Sequence, residues 1–138
     1  MPPLVSDEIL RKIQAGDDLS GMDLSGVDLK GISLRKLRAR AVKLRQAGLK
    51  GCDLTGSDLA GADLSGANLH GAFLNDCDLT EADLSGADLR FCKLTGAKIE
   101  GTNFNGALYD RMTRFDPGVV RPFDAMIKKD EGRGIFLN

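Results

Sequence analysis

The chain has 138 residues, enough for one domain and too few for a second substantial core. Its formal net charge of −1, from 19 basic and 20 acidic residues, gives no global pull towards nucleic acid or an anionic membrane. No stretch approaches membrane-spanning length, and Met1-Pro2-Pro3-Leu4-Val5 lacks the basic-then-apolar order of a secretion signal, so a cytoplasmic location is expected.

Residues Ser6 to Ala15 read as a short helix. Ser6 suits the N-cap, Asp7 and Glu8 suit the positive end of the helix dipole, and Gly16 can end it. Ile9, Leu10 and Ile13 make one apolar stripe, which needs a surface to cover.

From Asp17 to Leu108 the chain repeats every five residues without an insertion. Eighteen units are centred on Leu19, Leu24, Leu29 and so on to Phe104, and fifteen centres are Leu, the others being Ala39, Ile99 and Phe104. The residue two before the centre is small or apolar after Asp17, the one just before is Asp or Asn in eleven units, and the one two after is Gly in twelve. A five-residue step advances about 140° around an α-helix and alternates faces on a flat strand, so either element would scatter the leucines. The chain must coil. Each unit then forms one side of a solenoid turn, with the centre and the residue two before it pointing inward. Gly at each corner supplies positive φ, and Asp or Asn side chains bond the nearby backbone. The apolar stripe of the first helix is placed over the open bottom of the stack, which would otherwise expose apolar side chains and unpaired backbone.

Units such as Ala62-Asp63-Leu64-Ser65-Gly66 and Ala67-Asn68-Leu69-His70-Gly71 resemble the pentapeptide-repeat family, and the resemblance covers about two thirds of the chain. It implies an all-β solenoid, a right-handed quadrilateral β-helix with four units per coil, here about 4.5 coils. Residues 1–16 would be a short N-terminal capping helix, 17–108 the solenoid and 109–138 an irregular C-terminal cap and tail, all in one domain. The family includes DNA mimics that protect topoisomerases, proteins linked to cyanobacterial differentiation and members without a known role, so fold alone does not assign a function.

Folding the register into four sides places the remaining residues. The inward residues two before the early centres are large (Met22, Val27, Ile32, Leu37 and Val42), and Leu37 with Val42 is expected to refill the volume left by the small centre Ala39. Cys52, Cys77 and Cys92 all occupy that inward position, and Cys52 and Cys92 lie two coils apart, roughly 9 to 10 Å, too far for a disulfide. They read as buried thiols rather than metal or redox ligands. Arg35 to Lys50 carries seven basic residues and no acid. Stacking puts Arg38 between Asp18 and Asp58 and Lys43 between Asp23 and Asp63, so charge compensation is preferred over a nucleic-acid belt. Lys30, Lys50, His70 and Arg90 form one column on one side, with Asp28 and Asp88 beside it. Two readings stand: long side chains splaying into water, or a stripe that contacts an anion or a partner.

Phe73 stands where Asp or Asn is usual, and Phe91 replaces a corner glycine, with Gly71 one coil below it. Both rings are expected outside, diagonal across one corner, with His70, Arg90 and Lys93 as rim. Either they anchor a protein partner or they pack on each other or under the C-terminal tail.

Beyond Gly106 the pattern decays. Tyr109 is expected as a last inward centre, Asp116-Pro117-Gly118 as a turn, and Asp124 to Lys129 as about one helical turn. Phe115, Val119, Val120, Phe123, Met126 and Ile127 would close the top. Ile135-Phe136-Leu137 would dock back on the solenoid or join another copy, and the resemblance implies a homodimer through the C-terminal end.

No catalytic, cofactor or metal constellation emerges. The single histidine has no base or nucleophile beside it, the cysteines point inward, the aspartates are spaced by the repeat, and the glycines do not follow a phosphate-loop pattern. The expected function is a non-enzymatic scaffold for protein–protein interaction through an outer side of the solenoid, with His70, Phe73, Arg90, Phe91 and Lys93 as the surface. The alternative is a DNA mimic that inhibits a type II topoisomerase, DNA gyrase, through Asp58, Asp63, Asp78, Asp83 and Asp88. Direct nucleic-acid binding through the Lys30 column is disfavoured by the near-zero net charge.

Overall fold

The computed structural model describes residues 5–119 and 124–130. Helix α1 spans Asp7–Ala15, strand β1 Leu108–Tyr109 and strand β2 Ile127–Lys128. Between α1 and β1 the backbone alternates tight turns with single parallel bridges, and residues twenty apart lie side by side. Four such ladders run up the molecule: Asp23, Lys43, Asp63, Asp83, Asn103; Asp28, Gly48, Asn68, Asp88, Leu108; Ser33, Asp53, Phe73, Lys93, Arg114; and Arg38, Asp58, Asp78, Lys98.

The five-residue unit is a full accounting of backbone donors. In the unit from Ala62 to Gly66, the Ala62 N–H closes a turn onto Leu59 O at 3.0 Å, and Asp63 N–H donates down to Val42 O at 2.9 Å. Leu64 and Gly66 donate up to Asp83 O at 2.7 Å and Ser85 O at 2.9 Å. The fifth donor, Ser65 N–H, is taken by the Asp63 side chain at 3.0 Å. All eleven Asp or Asn residues at this position, from Asp18 to Asn103, accept the N–H two residues on. The repeat needs an acceptor there because the outward N–H has no carbonyl to reach.

The corner explains the glycines. Every position two after a centre has positive φ, including the six without glycine: Lys36, Ala41, Gln46, Asp76, Glu81 and Phe91. Below each of these six lies a glycine, and above the first five lies another, as Lys36 lies between Gly16 and Gly56. The side chain at such a corner rises over the next coil: a Cβ on Gly66 would meet Gln46 at 3.1 Å, and one on Gly101 would overlap the Glu81 carboxylate. Two side chains do not stack there.

Inside, the leucine centres from Leu19 to Leu94 are buried, with the small residues from Ala47 to Cys92 between them. Leu37, Ala39 and Val42 are all buried, which is the refilling expected around the small centre. Ser57 is buried with both hydroxyl functions used: it donates to Leu34 O at 2.8 Å and accepts Leu37 N–H at 3.0 Å. Helix α1 starts where Ser6 Oγ accepts Ile9 N–H at 3.3 Å and ends at left-handed Gly16, whose N–H returns to Ile13 O. Ile9 and Ile13 pack against the lowest coil with Val5, Met22, Val27 and Ile32.

Three findings correct the sequence reading. Residues 127–128 are not helical: β2 pairs in parallel with β1, Leu108 beside Ile127 and Tyr109 beside Lys128, because the neighbouring coil offers an open edge that a helical turn would leave unpaired. The ladder also continues past Tyr109, with Lys93 beside Arg114 at a spacing of twenty-one rather than twenty. The extra residue lets buried Phe115 turn inward, edge-on to Phe104 with centroids 6.0 Å apart, while Tyr109 is only half-buried. Third, the compensation that Arg38 and Lys43 give to Asp18 and Asp23 is shared by other arginines of the basic belt. Arg35, Arg40 and Arg45 reach Asp53, Asp58 and Asp63, eighteen residues on, at 3.2, 3.3 and 3.7 Å. Arg38 and Lys43 sit on the expected rungs, but Arg38 donates to Gly16 O at 2.8 Å, because the carbonyl at the end of α1 lies within reach. The expectations for Val120, Phe123 and Ile135 to Leu137 fall outside the described residues.

Candidate functional site

The corner that carries Phe73 and Phe91 is built by three coils. Phe73 occupies the bridge position between Asp53 below and Lys93 above, so its ring leaves the solenoid sideways. Phe91 sits at a corner with φ 58°, and its N–H is held by the Asp110 carboxylate at 3.2 Å. Both rings are exposed, 40% for Phe73 and 44% for Phe91. They do not share a ring contact among the described residues. Phe91 leans on His70, with ring centroids 5.2 Å apart and planes at 45°, and the Lys93 ammonium lies 5.9 Å from the centre of the Phe73 ring. The mutual packing that would have made the corner self-sufficient is therefore absent there, and each ring keeps a cation or an imidazole as neighbour.

The column of Lys30, Lys50, His70 and Arg90 is stacked by backbone bonds: Gly31, Gly51 and Gly71 donate to Lys50, His70 and Arg90 carbonyls at 2.9, 3.0 and 2.9 Å. Its four members differ in state. Arg90 is half-buried and grips Asp88 through Nε to Oδ1 at 3.0 Å and Nη2 to Oδ2 at 2.7 Å. Burial pushes the Asp88 carboxyl up, but the Arg90 hydrogen bonds and charge outweigh it and leave it below the usual carboxylate value. Lys30 and Lys50 are exposed and make no ion pair among the described residues.

Sequence reasoning missed the upper rim. Arg114 continues the ladder above Lys93, a placement created by the one-residue insertion, and Met112 beside it is 37% exposed. The insertion is closed by buried Asp110, whose Oδ1 accepts from Phe91 N, Met112 N, Thr113 N and Thr113 Oγ1. Asp116 takes Gly96 N–H with both oxygens at 3.0 Å, and Asp130 takes Arg111 N–H at 2.7 Å while pairing with Lys128 at 2.9 Å. Three aspartates thus cap corner donors that the next full coil would have bonded.

The acidic rows are stacked, Asp58 beside Asp78 and Asp63 beside Asp83, yet each carboxylate already holds a backbone N–H, and Asp58 and Asp63 hold arginines. The thiols are sealed: burial pushes Cys77 up to about 12 and raises Cys52 and Cys92 too. Cys52 and Cys77 donate to Leu29 O and Leu54 O at 2.8 and 2.9 Å. Among the described residues no group of three or more His, Cys, Asp or Glu side chains is placed to hold a metal ion, and no helix is long and apolar enough to cross a membrane.

These ladders define a solenoid of stacked five-residue repeats. The family model for pentapeptide repeats matches residues 40–76 and 74–108 in eight copies. The chain is 30% identical to HetL, a pentapeptide repeat protein involved in heterocyst differentiation regulation in Nostoc sp. strain PCC 7120, with a TM-score of 0.53 over 80% of this chain and 56% of HetL. It is 34% identical to a pentapeptide repeat protein of the Arabidopsis thaliana thylakoid lumen, covering 73% of this chain and 70% of that one, with a TM-score of 0.42. QnrB1, a plasmid-mediated fluoroquinolone resistance protein, is 18% identical over 83% of this chain and 81% of its own, with a TM-score of 0.32. A search of curated proteins finds no match. The chain belongs to the pentapeptide-repeat family, and its likeness to HetL implies a β-helix solenoid.

Proposed function

We propose that this protein is a non-enzymatic, cytoplasmic scaffold that engages a protein partner through the corner of His70, Phe73, Arg90, Phe91 and Lys93. The observation that carries the reading is the pair of outward phenylalanines at positions where the repeat prescribes an Asx acceptor and a glycine. Phe73 forgoes the acceptor, and Phe91 holds a bulky side chain at φ 58°, a conformation costing about 1–2 kcal/mol for a residue with a Cβ. Exposed rings kept at that cost, beside cations, have the make-up of an interface anchor. A right-handed quadrilateral β-helix is the frame we read for it, as one domain with 1–16 and 109–138 as its ends, and a homodimer through the C-terminal end is compatible with the binding corner. Chemistry is disfavoured because His70 faces a phenylalanine and the thiols are buried.

The test is affinity capture with the wild-type chain beside Phe73→Ala/Phe91→Ala. A partner held by wild type and lost by the folded double variant supports the corner, and equal capture by both removes it. A second reading, a DNA mimic acting on a type II topoisomerase, rests on the stacked pairs Asp58/Asp78 and Asp63/Asp83. It requires inhibition or drug protection in a gyrase supercoiling assay, and the arginines on Asp58 and Asp63 weaken it.

A further inference from the structure

Charge is distributed unevenly around the solenoid. On the phenylalanine corner the acids are engaged: Asp53 by Arg35 and Thr55, Asp88 by Arg90, buried Asp110 by four donors, and Asp28 by Lys30 N–H at 3.0 Å. The cations there face no carboxylate among the described residues, although Arg114 Nη1 donates to the Arg111 carbonyl and Lys93 lies over the Phe73 ring. Lys30, Lys50, Lys93 and Arg114 are exposed, and none makes an ion pair among the described residues. The ladders on the far sides instead stack Asp58 on Asp78 and Asp63 on Asp83, with exposed Glu81 between them in the chain. An acidic partner meets four cations along the first corner, whereas on the other sides exposed Lys43 and Lys98 alternate with the stacked acids.

The corner also has an order along its length. Its rungs carry Lys30, then Lys50, then His70 with Phe73, then Phe91 with Lys93, then Arg114. Five rungs span about 19 Å at strand spacing, which an extended peptide covers with about six residues. We propose that the corner receives an extended acidic segment of a protein partner, with carboxylates against Lys93 and Arg114 above and Lys30 and Lys50 below, and an apolar side chain between Phe73 and Phe91. The inference rests on the protein-binding reading and adds the chemistry of the partner. Single-stranded nucleic acid is the other polyanion to weigh, but it binds by stacking bases on open ring faces. Here Phe91 leans on His70 and Phe73 carries the Lys93 ammonium.

The test is a titration of the isotope-labelled full chain, followed by amide chemical shifts. The probes are the hexapeptide Glu-Glu-Leu-Phe-Glu-Glu, its counterpart with Gln for every Glu, and hexathymidylate. The expected result is that the acidic peptide shifts the amides of Phe73, Phe91, Lys93 and Arg114. Lys93→Glu/Arg114→Glu, or the milder Lys93→Gln/Arg114→Gln where the reversal disturbs folding, should weaken binding by about tenfold or more. Equal binding of the Gln peptide, shifts scattered over the surface, no shifts at all, or tighter binding of hexathymidylate would each overturn the inference. A captured protein lost by Phe73→Ala/Phe91→Ala but retained by Lys93→Glu/Arg114→Glu would overturn it too, while leaving the protein-binding reading intact.

Discussion

Arg90 closes a bidentate ion pair on Asp88, two residues earlier in the same unit, while the backbone N–H of Arg90 bonds the same carboxylate at 3.1 Å. One aspartate therefore serves the fold, through its turn, and the surface, by neutralising the guanidinium below the upper rim. Replacing it separates the two roles. Asp88→Asn should keep the turn acceptor and lose the ion pair, whereas Asp88→Ala loses both and should cost about 1–2 kcal/mol more. Denaturant unfolding of the two variants checks this; equal midpoints would show that the turn bond contributes nothing.

Acid should loosen the solenoid rung by rung. Hydrogen bonds from the Thr55 side chain, and from the Thr80 side chain and backbone, hold Asp53 and Asp78 below the ordinary carboxylate value of 3.8, despite opposing desolvation. A folded-state value below the unfolded one means stability that is present above the unfolded value and lost as pH falls through the folded one. Melting temperature should be level near neutrality and fall below about pH 4. Asn68 and Asn103 already fill the same turn with an amide, so Asp53→Asn/Asp78→Asn should make the acid limb shallower. An unchanged limb would assign acid sensitivity to other carboxylates.

The Phe91 corner should show a conflict between stability and binding. Phe91→Gly removes a left-handed bulky residue and should leave the solenoid as stable or more stable by up to about 1 kcal/mol, offset by the lost contact with His70. Partner capture should fall. A clear loss of thermal stability would instead make Phe91 a structural residue.

Corner glycines should differ by what lies below them. At Gly71 a Cβ meets nothing within 4 Å, so Gly71→Ala should cost only the left-handed conformation, about 1 kcal/mol. At Gly101 the same change also displaces the Glu81 carboxylate and should cost more. Glu81→Gly in the Gly101→Ala background should recover the difference, read as melting temperatures of the three variants.

Native-state thiol titration gives a further check. The three cysteines are fully buried with raised thiol values, so a disulfide reagent at pH 8 should find none of them until denaturant is added. A thiol that reacts promptly in the native protein would mark local opening of its coil.

The architecture was legible in the residues because each position of the repeat answers a local demand. A Leu centre fills the core, Asp or Asn supplies the acceptor for an outward N–H, and Gly takes the left-handed corner. These demands act within five residues, so the sequence by itself determined the coiling, the inward positions and the placement of Phe73 and Phe91 on one outer corner. Tertiary structure decided the long-range pairings. Arg35, Arg40 and Arg45 choose aspartates eighteen residues on, over the Arg38 and Lys43 rungs, because a long side chain leaving the position after a centre reaches diagonally to the next coil. Phe91 takes His70 and Phe73 takes Lys93, a choice among neighbours that free side-chain torsions leave open in the sequence. The single extra residue before Arg114, accommodated by Asp110, has no signature in the five-residue pattern, yet it sets the cation above Lys93 and the ring of Phe115 in the core.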